Sequence, residues 1–486
     1  MSTLQDLNQV LSRKQDILEN AAGVEKQKKS GKLTARERVA LLLDDSSFME
    51  QSMLFADAGV VTGSGTVDGR PVYVIAQDFA VMNGAVGAKQ AKKIVKVLEL
   101  ARKTGTPVVA MCDSNGARVG EGAAALEAYA DIFAHMARLS GVVPMVTMVL
   151  GPCVGAAAMF AQLSDIVVVA KAGALLAAGP QVLCATMGKD VAKAEELGGA
   201  KVAVETGMAH FACETEEEAF AKVKTVLGMI PGNNLEDAPF SVEEDMNRTV
   251  SGLAAGVDGA KVISEMADAG SVVEFGAGYT GAITALAKMA GRTVAFVYTG
   301  KGDTCDKRMN KITRFVRFAD CYNIPVISLI DSTGFEIFKT VDRQMSVIKA
   351  ASQLVYAYSE ATTVKVALVI GNAIGAMYVA MGGSANADAT FAWPGACISP
   401  LTGEAAIQIM WKDEIKNSKG DAVAARAELA AKYESEVADG VNAAACGLVD
   451  DVIDPADSRK MVIAAREMLS SKRDSNPPKK HGNMPL

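Results

Sequence analysis

The sequence predicts two tandem α/β domains with largely parallel sheets, produced by an internal duplication. Three observations carry this reading. Ala91–Gly116 lies without a gap over Met309–Gly334, 218 positions further on, and eight of the 26 residues are identical. Each copy alternates apolar strands with amphipathic helices, the order that gives parallel pairing through right-handed crossovers. Strands such as VVAMC (108–112) and VISLI (326–330) are almost entirely apolar, as needed where both faces of a sheet are covered.

Taken in order, each copy reads as a helix, a Pro-Val step (Pro107-Val108; Pro325-Val326), a strand and a D-S-x-G turn (113–116; 331–334). Upstream, Val61-Thr62-Gly63 falls on Tyr279-Thr280-Gly281 at the same shift, and Gly69-Arg70 falls on Gly291-Arg292 with a small slip. Downstream, the apolar runs Met145–Leu150 and Val366–Ile370 lead to Gly155-Ala156-Ala157 and Gly375-Ala376-Met377, 220 positions apart. Pro231–Thr249, rich in turn formers and acids, is the expected linker, giving domains at 1–240 and 250–486. The charge-free stretches Leu139–Ser164 and Val366–Ala387 are long enough to span a membrane. Pro144, Gly151, Pro152 and Gly155 break the first, and Gly371 and Gly375 divide the second, so each is read as a buried strand entering a buried helix. The amino terminus reads as a polar helix followed by a basic run (Lys26, Lys28, Lys29, Lys32, Arg36, Arg38) taken to be solvated. The tail Pro477-Pro478-Lys479-Lys480-His481 cannot be helical and is expected to lie along the surface or a partner.

Composition narrows function. A net charge of −7 and 5% aromatic residues disfavour a phosphate-backbone binder or a base-stacking platform, so no nucleic-acid partner is expected. Eight cysteines are scattered without a C-x-x-C pair, which signals neither a zinc site nor a disulfide framework; no metal is expected, and a reducing cytoplasm fits best. The start carries no basic segment followed by an apolar one, so no signal peptide is read. Three histidines (His135, His210, His481) and the absence of H-E-x-x-H, G-x-S-x-G, Walker and G-x-G-x-x-G patterns leave little acid–base machinery. Such a site must work through positioning and preorganised dipoles. Small residues at Gly155-Ala156 and Gly375-Ala376, each opening a helix, allow main-chain amides to meet an enolate or ureido oxyanion. Close helix–strand packing selects the same residues, and spacing alone leaves both readings open. Asp113-Ser114 and Asp331-Ser332 read as helix caps, and Met159, Met345, Met377 and Met381 as core fillers.

Several ordered blocks resemble one family. They are VEKQKKSGKLTARERVALLLDDSSF (24–48), GVVTGSGTVDGRPVYVIAQDFAVMNGAVG (59–87), PVVAMCDSNGARVGEG (107–122), GPCVGAAA (151–158), EELGGA (195–200) and TGMAHFA (206–212). The second half adds KITRFVRFADCYNIPVISLIDSTGF (311–335), LVYAYSEATTVKVALV (354–369), FAWPGA (391–396) and PPKKHGNMPL (477–486). Nearly the whole chain resembles the carboxyltransferase subunits of biotin-dependent acyl-CoA carboxylases, most closely the propionyl-CoA carboxylase beta type.

That resemblance implies two crotonase-like domains per chain and a hexamer, a trimer of dimers, with each site shared between the first domain of one subunit and the second of another. Acyl-CoA would sit on the first domain and carboxybiotin on the second. Gly155 and Ala156 would form the thioester hole, and Gly375, Ala376 and Met377 the ureido hole. Gly84, Ala85, Gly116, Ala117, Arg118, Ile374 and Val379 would be cofactor-binding. Biotin would arrive on a separate biotin carboxyl carrier protein, with a biotin carboxylase or a membrane decarboxylase subunit as further partner, since no A-M-K-M lysine site or ATP-grasp segment is read here. The sequence departs from the family at the biotin hole, where R-K-A-Y-G-G-A-Y-D becomes Gly371-Asn372-Ala373-Ile374-Gly375-Ala376-Met377-Tyr378-Val379, and Val379 replaces an acid often tied to acyl-chain choice. G-F-L-P-G becomes Gly334-Phe335-Glu336-Ile337-Phe338, and the paired glycines of D-S-G-G-A-R become Asn115-Gly116. Two rival readings are the reverse transfer, as the alpha subunit of a methylmalonyl-CoA-type decarboxylase, and a biotin-independent crotonase-like hydratase or hydrolase, against which two holes argue.

Overall fold

The computed structural model describes residues 2–18, 21–55, 57–188, 193–241, 244–336, 340–417 and 422–485. The chain forms two compact units, Met1–Asp237 with Gly276–Tyr279 and Ala238–Phe275 with Thr280–Leu486. In the first, α1 (Ala35–Leu42) precedes a hairpin of β1 (Val60–Val67) and β2 (Arg70–Gln77). Then come α2 (Ala88–Thr104), β3 (Val108–Ser114), α3 (Ala123–Leu139), β4 (Met145–Val154), α4 (Ala156–Gln162), β5 (Ile166–Ala170) and α5 (Glu216–Leu227). The second repeats the plan with β6 (Ile283–Met289), β7 (Arg292–Tyr298), α6 (Asp306–Cys321), β8 (Val326–Ser332), α7 (Val341–Glu360), β9 (Lys365–Ile374), α8 (Ala376–Met381) and β10 (Ala389–Ala392), closing with α9 (Ser458–Met468).

Both sheets have the same order. The antiparallel hairpin adjoins β3 or β8, followed in parallel by β4 and β5, or by β9 and β10. Short strands at Ala174–Leu176 and Cys397–Ser399 pair with the ends of β4 and β9. The two charge-free stretches are therefore strand-into-helix passages, and no helix among the described residues is long and apolar enough to cross a membrane. The hairpins correct one detail of the repeat. Val67 pairs with Arg70 and Met289 with Arg292, so the hairpins correspond at 222 positions and Val61 matches Ile283. The V-T-G and Y-T-G match is a coincidence: from Arg70 to the start of α2 at Ala88 the chain runs four residues further than from Arg292 to the start of α6 at Asp306. Lys93 and Lys311, 218 apart on α2 and α6, bear out the corrected register: each ammonium donates to a hairpin carbonyl, Val60 O at 2.7 Å and Ala282 O at 2.8 Å.

Buried charge at the end of β3 distinguishes the first unit from the second at the matching strand end, β8. Asp113 is 0% exposed at the end of β3 and accepts from Lys32 Nζ at 2.8 Å, Arg38 Nη1 at 2.9 Å and Gln27 Nε2 at 3.0 Å. Arg38, also fully buried, adds a two-pronged pair with Glu216 of α5 at 2.7 and 2.6 Å and donates to Leu150 O of β4. Burial pulls the Lys32 ammonium below its ordinary pKa, against the attraction of Asp113. Two expectations are thereby corrected. Lys32 and Arg38 are interior residues of the basic run, and Asp113 and Asp331 end strands instead of capping helices. Asp331 accepts from Asn372 N at 3.0 Å and has no ion-pair partner among the described residues. Met377 and Met381 are buried as expected, whereas Met159 (57%) and Met345 (53%) are exposed on helix faces turned away from the sheet.

Asp113→Asn leaves the buried Lys32 ammonium without its carboxylate and removes one of the two acids that Arg38 meets, and should lower unfolding free energy by ~3–5 kcal/mol in urea titrations, while Asp331→Asn, which keeps its acceptor, should stay within about 1 kcal/mol. Lys311 gives a pH signature. Burial lowers its pKa to about 8. The unfolded lysine titrates near ~10.4, so between these values the unfolded state binds more protons and stability rises with pH. Lys311→Met should abolish the part of that rise falling between about pH 8 and 10; a rise of unchanged size would contradict the assignment.

Candidate active site

In both units the site lies where strands end and helices begin. β4 ends in Gly155 with φ 61° and ψ −122°, β9 in Gly375 with φ 59° and ψ −127°, a conformation essentially confined to glycine. The turn aims the next helix away from the strand and leaves its opening amides unbonded. Gly155 N itself donates to Leu176 O at 2.7 Å, and Gly375 N to Ser399 O at 2.9 Å. Each glycine therefore shapes the turn, and the opening amides without a backbone acceptor among the described residues belong to Ala156 and Ala157 in one unit and to Ala376, Met377 and Tyr378 in the other.

A second loop closes on each turn. After β3, Ser114 Oγ accepts Gly116 N at 3.1 Å, and Val86 brackets Ala117 by donating to Gly116 O and accepting from Arg118 N, both at 2.8 Å. The Ala117 amide consequently points away from Val86. After β8, Ser332 Oγ accepts Gly334 N at 3.2 Å, and Thr304 brackets Phe335 in the same way. The loops abut the glycine turns: a Cβ on Gly116 would stand 3.0 Å from Val154 O, one on Gly334 3.8 Å from Ile374 Cγ2. Each unit thus offers one amide from a loop (Ala117 or Phe335) and one from a helix start (Ala156 or Ala376). Phe335 was missed in the sequence because its side chain says nothing about its amide; the signal was its alignment with Ala117.

The remaining expected residues frame this arrangement. Gly84 is buried, and a Cβ there would lie 2.0 Å from Asp113 O, so it permits close approach of its loop to β3. Arg118 is buried, with its guanidinium turned inward onto Ala85 O at 2.8 Å, Asp57 O at 3.0 Å and Ala58 O at 2.8 Å, where it joins three loops. Ile374 and Met377 are buried, whereas Val379 is 56% exposed on the first turn of α8. Across 152–159 and 372–379 the ionisable side chains are Cys153 and Tyr378. A hydrogen bond with Cys112 and burial hold the Cys153 thiol well above its ordinary pKa, and burial raises Tyr378. Both stay neutral near pH 7, which leaves main-chain dipoles as the available chemistry of these two turns, with Glu336 the ionisable neighbour of Phe335 in the adjoining loop.

This is a crotonase-like enzyme fold in duplicate, with a candidate paired-amide site in each copy. The chain belongs to the carboxyl transferase domain family, whose model matches residues 26–484. It is 38% identical to the methylmalonyl-CoA carboxyltransferase 12S subunit of Propionibacterium freudenreichii subsp. shermanii, over 100% of this chain and 98% of that one. It is 37% identical to the methylmalonyl-CoA decarboxylase subunit alpha of Veillonella parvula over 100% of both. The transcarboxylase 12S hexamer solved with methylmalonyl-coenzyme A and methylmalonic acid bound superimposes with a TM-score of 0.91 at 37% identity, covering 99% of this chain and 98% of that one.

Gly155→Ala has room for the methyl group, with its nearest atom at 3.8 Å, whereas at Gly375→Ala the methyl presses on Pro400 O at 3.3 Å. The cost at 155 is therefore conformational, about 1–3 kcal/mol in denaturant titrations, and the cost at 375 should be at least as large. Gly179→Ala, at an ordinary φ of −69° with its nearest neighbour at 3.5 Å, should be close to neutral.

Proposed function

We propose that the chain is the carboxyltransferase subunit of a biotin-dependent acyl-CoA carboxylase, moving a carboxyl group between biotin on a separate carrier protein and the α-carbon of a short acyl-CoA. The observation that carries this reading is the doubled amide pair. One suffices for a thioester oxygen that gains charge; a second, on an equivalent fold, suits a second oxyanion. The Ala117 and Ala156 amides hold the thioester oxygen as negative charge develops on it, and losing one such donor typically costs ~3 kcal/mol of barrier. The Phe335 and Ala376 amides fit a biotin ureido oxygen, since they offer two donors and no ionisable side chain but Tyr378 stands in that turn. When bound, biotin supplies the carboxyl group and a ring nitrogen able to take the α-proton, which accounts for a site without a protein base. The relatives' methylmalonyl-CoA supports propionyl-CoA as the acceptor, and the hexamer of the 12S enzyme supports the same assembly here. Val379, an apolar side chain close to the second turn, suits an alkyl chain better than a carboxylate would. The Veillonella relative favours a second reading in which the same half-reaction runs as decarboxylation beside a membrane subunit.

Proline is tolerated at the first position of a helix and has no N–H. Ala156→Pro and Ala376→Pro should each keep the thermal midpoint within a few degrees, yet lower carboxyl transfer from methylmalonyl-CoA to a biotin carrier by roughly 10²–10³-fold. Unchanged transfer by either folded variant would return that turn to a packing role.

A further inference from the structure

The second unit covers its α6–α7 groove with the carboxyl-terminal tail. Asn476 Nδ2 donates to Glu360 O at 2.8 Å, Lys479 pairs with the Glu360 carboxylate at 2.7 Å, and Gln353 Nε2 donates to Pro485 O at 2.8 Å. Gly482 crosses Tyr356 so closely that a Cβ would lie 1.6 Å from the hydroxyl oxygen. The prolines keep this segment extended. It is a basic strap on an acidic groove.

The corresponding α2–α3 groove of the first unit is an open cleft of about 350 Å³ lined by Leu98, Glu99, Arg102, His135 and Arg138. Among the described residues, the chain does not turn back to fill it. After α5, Asn233 Nδ2 donates to Gly105 O at 2.9 Å and Asn234 N to Val142 O at 3.0 Å, and the chain then enters the second unit at Ala238. The charges of the two grooves are exchanged. At the 218-residue equivalence Glu99 stands for Arg317 and Arg102 for Asp320, and α3 carries Arg138 in its last turn where α7 ends in Glu360. His135 engages both local acids, Glu99 at 3.6 Å and Asp131 at 3.2 Å. Arg102 and Arg138 have no ion-pair partner among the described residues.

We propose that the α2–α3 groove docks an extended acidic peptide segment of a partner polypeptide, its carboxylates meeting Arg102 and Arg138 as Lys479 meets Glu360 in the other unit. The chain's own tail carries Lys479 and Lys480 and is the wrong charge for this groove, so the occupant is a different chain.

Fluorescence anisotropy of two labelled peptides with the full chain tests this. PPEEHGNMPL keeps the tail's shape and reverses its charge; PPKKHGNMPL is the native tail. The acidic peptide should bind saturably, at least ~10-fold more tightly than the basic one, and weaken at about 0.5 M salt. R102E combined with R138E should weaken it at least ~10-fold while thermal unfolding stays cooperative. Absence of saturable binding, equal affinity for both peptides, or indifference to the arginine substitutions would overturn the proposal. Displacement by inorganic phosphate at matched ionic strength would do so too, by reducing the cleft to a small-anion site. If the double variant fails to fold, the peptide comparison and salt dependence on the native chain still decide.

Discussion

The Asp113 carboxylate is the point on which the first unit's site depends. It is buried at the end of β3, immediately before the loop that carries Gly116 and Ala117, and close enough to β4 that only glycine fits at 151: a Cβ there would stand 2.0 Å from Asp113 Oδ1. A lone carboxylate in that position would be strongly unfavourable, and Lys32 and Arg38 make it tolerable. In doing so they fasten the amino-terminal segment, α5 and the β3–β4 pair into one body beneath the amides. The second unit keeps the carboxylate at Asp331 and the matching glycine at 371, but meets it with a backbone amide. At this strand end the same backbone plan is thus held by an ion cluster in one half and by a backbone amide in the other.

A site made of amides follows from the fold more than from any side chain. Each donor's direction is set by a glycine turn, a serine that fixes the loop, and a short bracketing bridge. Amides held this way need no reorganisation as charge develops, and they do not titrate. In the proposed function, that division of labour assigns proton transfer to the cofactor and frees the chain from maintaining a perturbed acid or base.

Much of this was legible in the sequence because it is local or periodic. The repeat at 218 residues, the apolar strands and the glycine–small-residue turns at Gly155 and Gly375 are all written in consecutive positions. The roles of Lys32, Arg38 and Asp113 were not, since the partners are 75 and 81 residues apart and a D-S-x-G turn after a strand looks like a cap. The basic run looked solvated because alternation alone does not reveal that two of its members face a buried acid. Gly155 was expected to lend its own amide; the pairing of β4 with Ala174–Leu176 takes it, and that short strand gives almost no sequence signal. Met159 and Met345 were placed in the core by residue type, and only packing shows which side of a helix they occupy.

The central claim is that the chain polarises its substrate through backbone amides and owns no base. Deuterium incorporation at the α-carbon of propionyl-CoA, followed by mass spectrometry in D2O, examines this directly. With the chain alone the account predicts no exchange above the rate in buffer, and with a carboxylated biotin carrier added it predicts methylmalonyl-CoA. Rapid α-exchange catalysed by the chain without biotin would reveal a protein base and contradict the account.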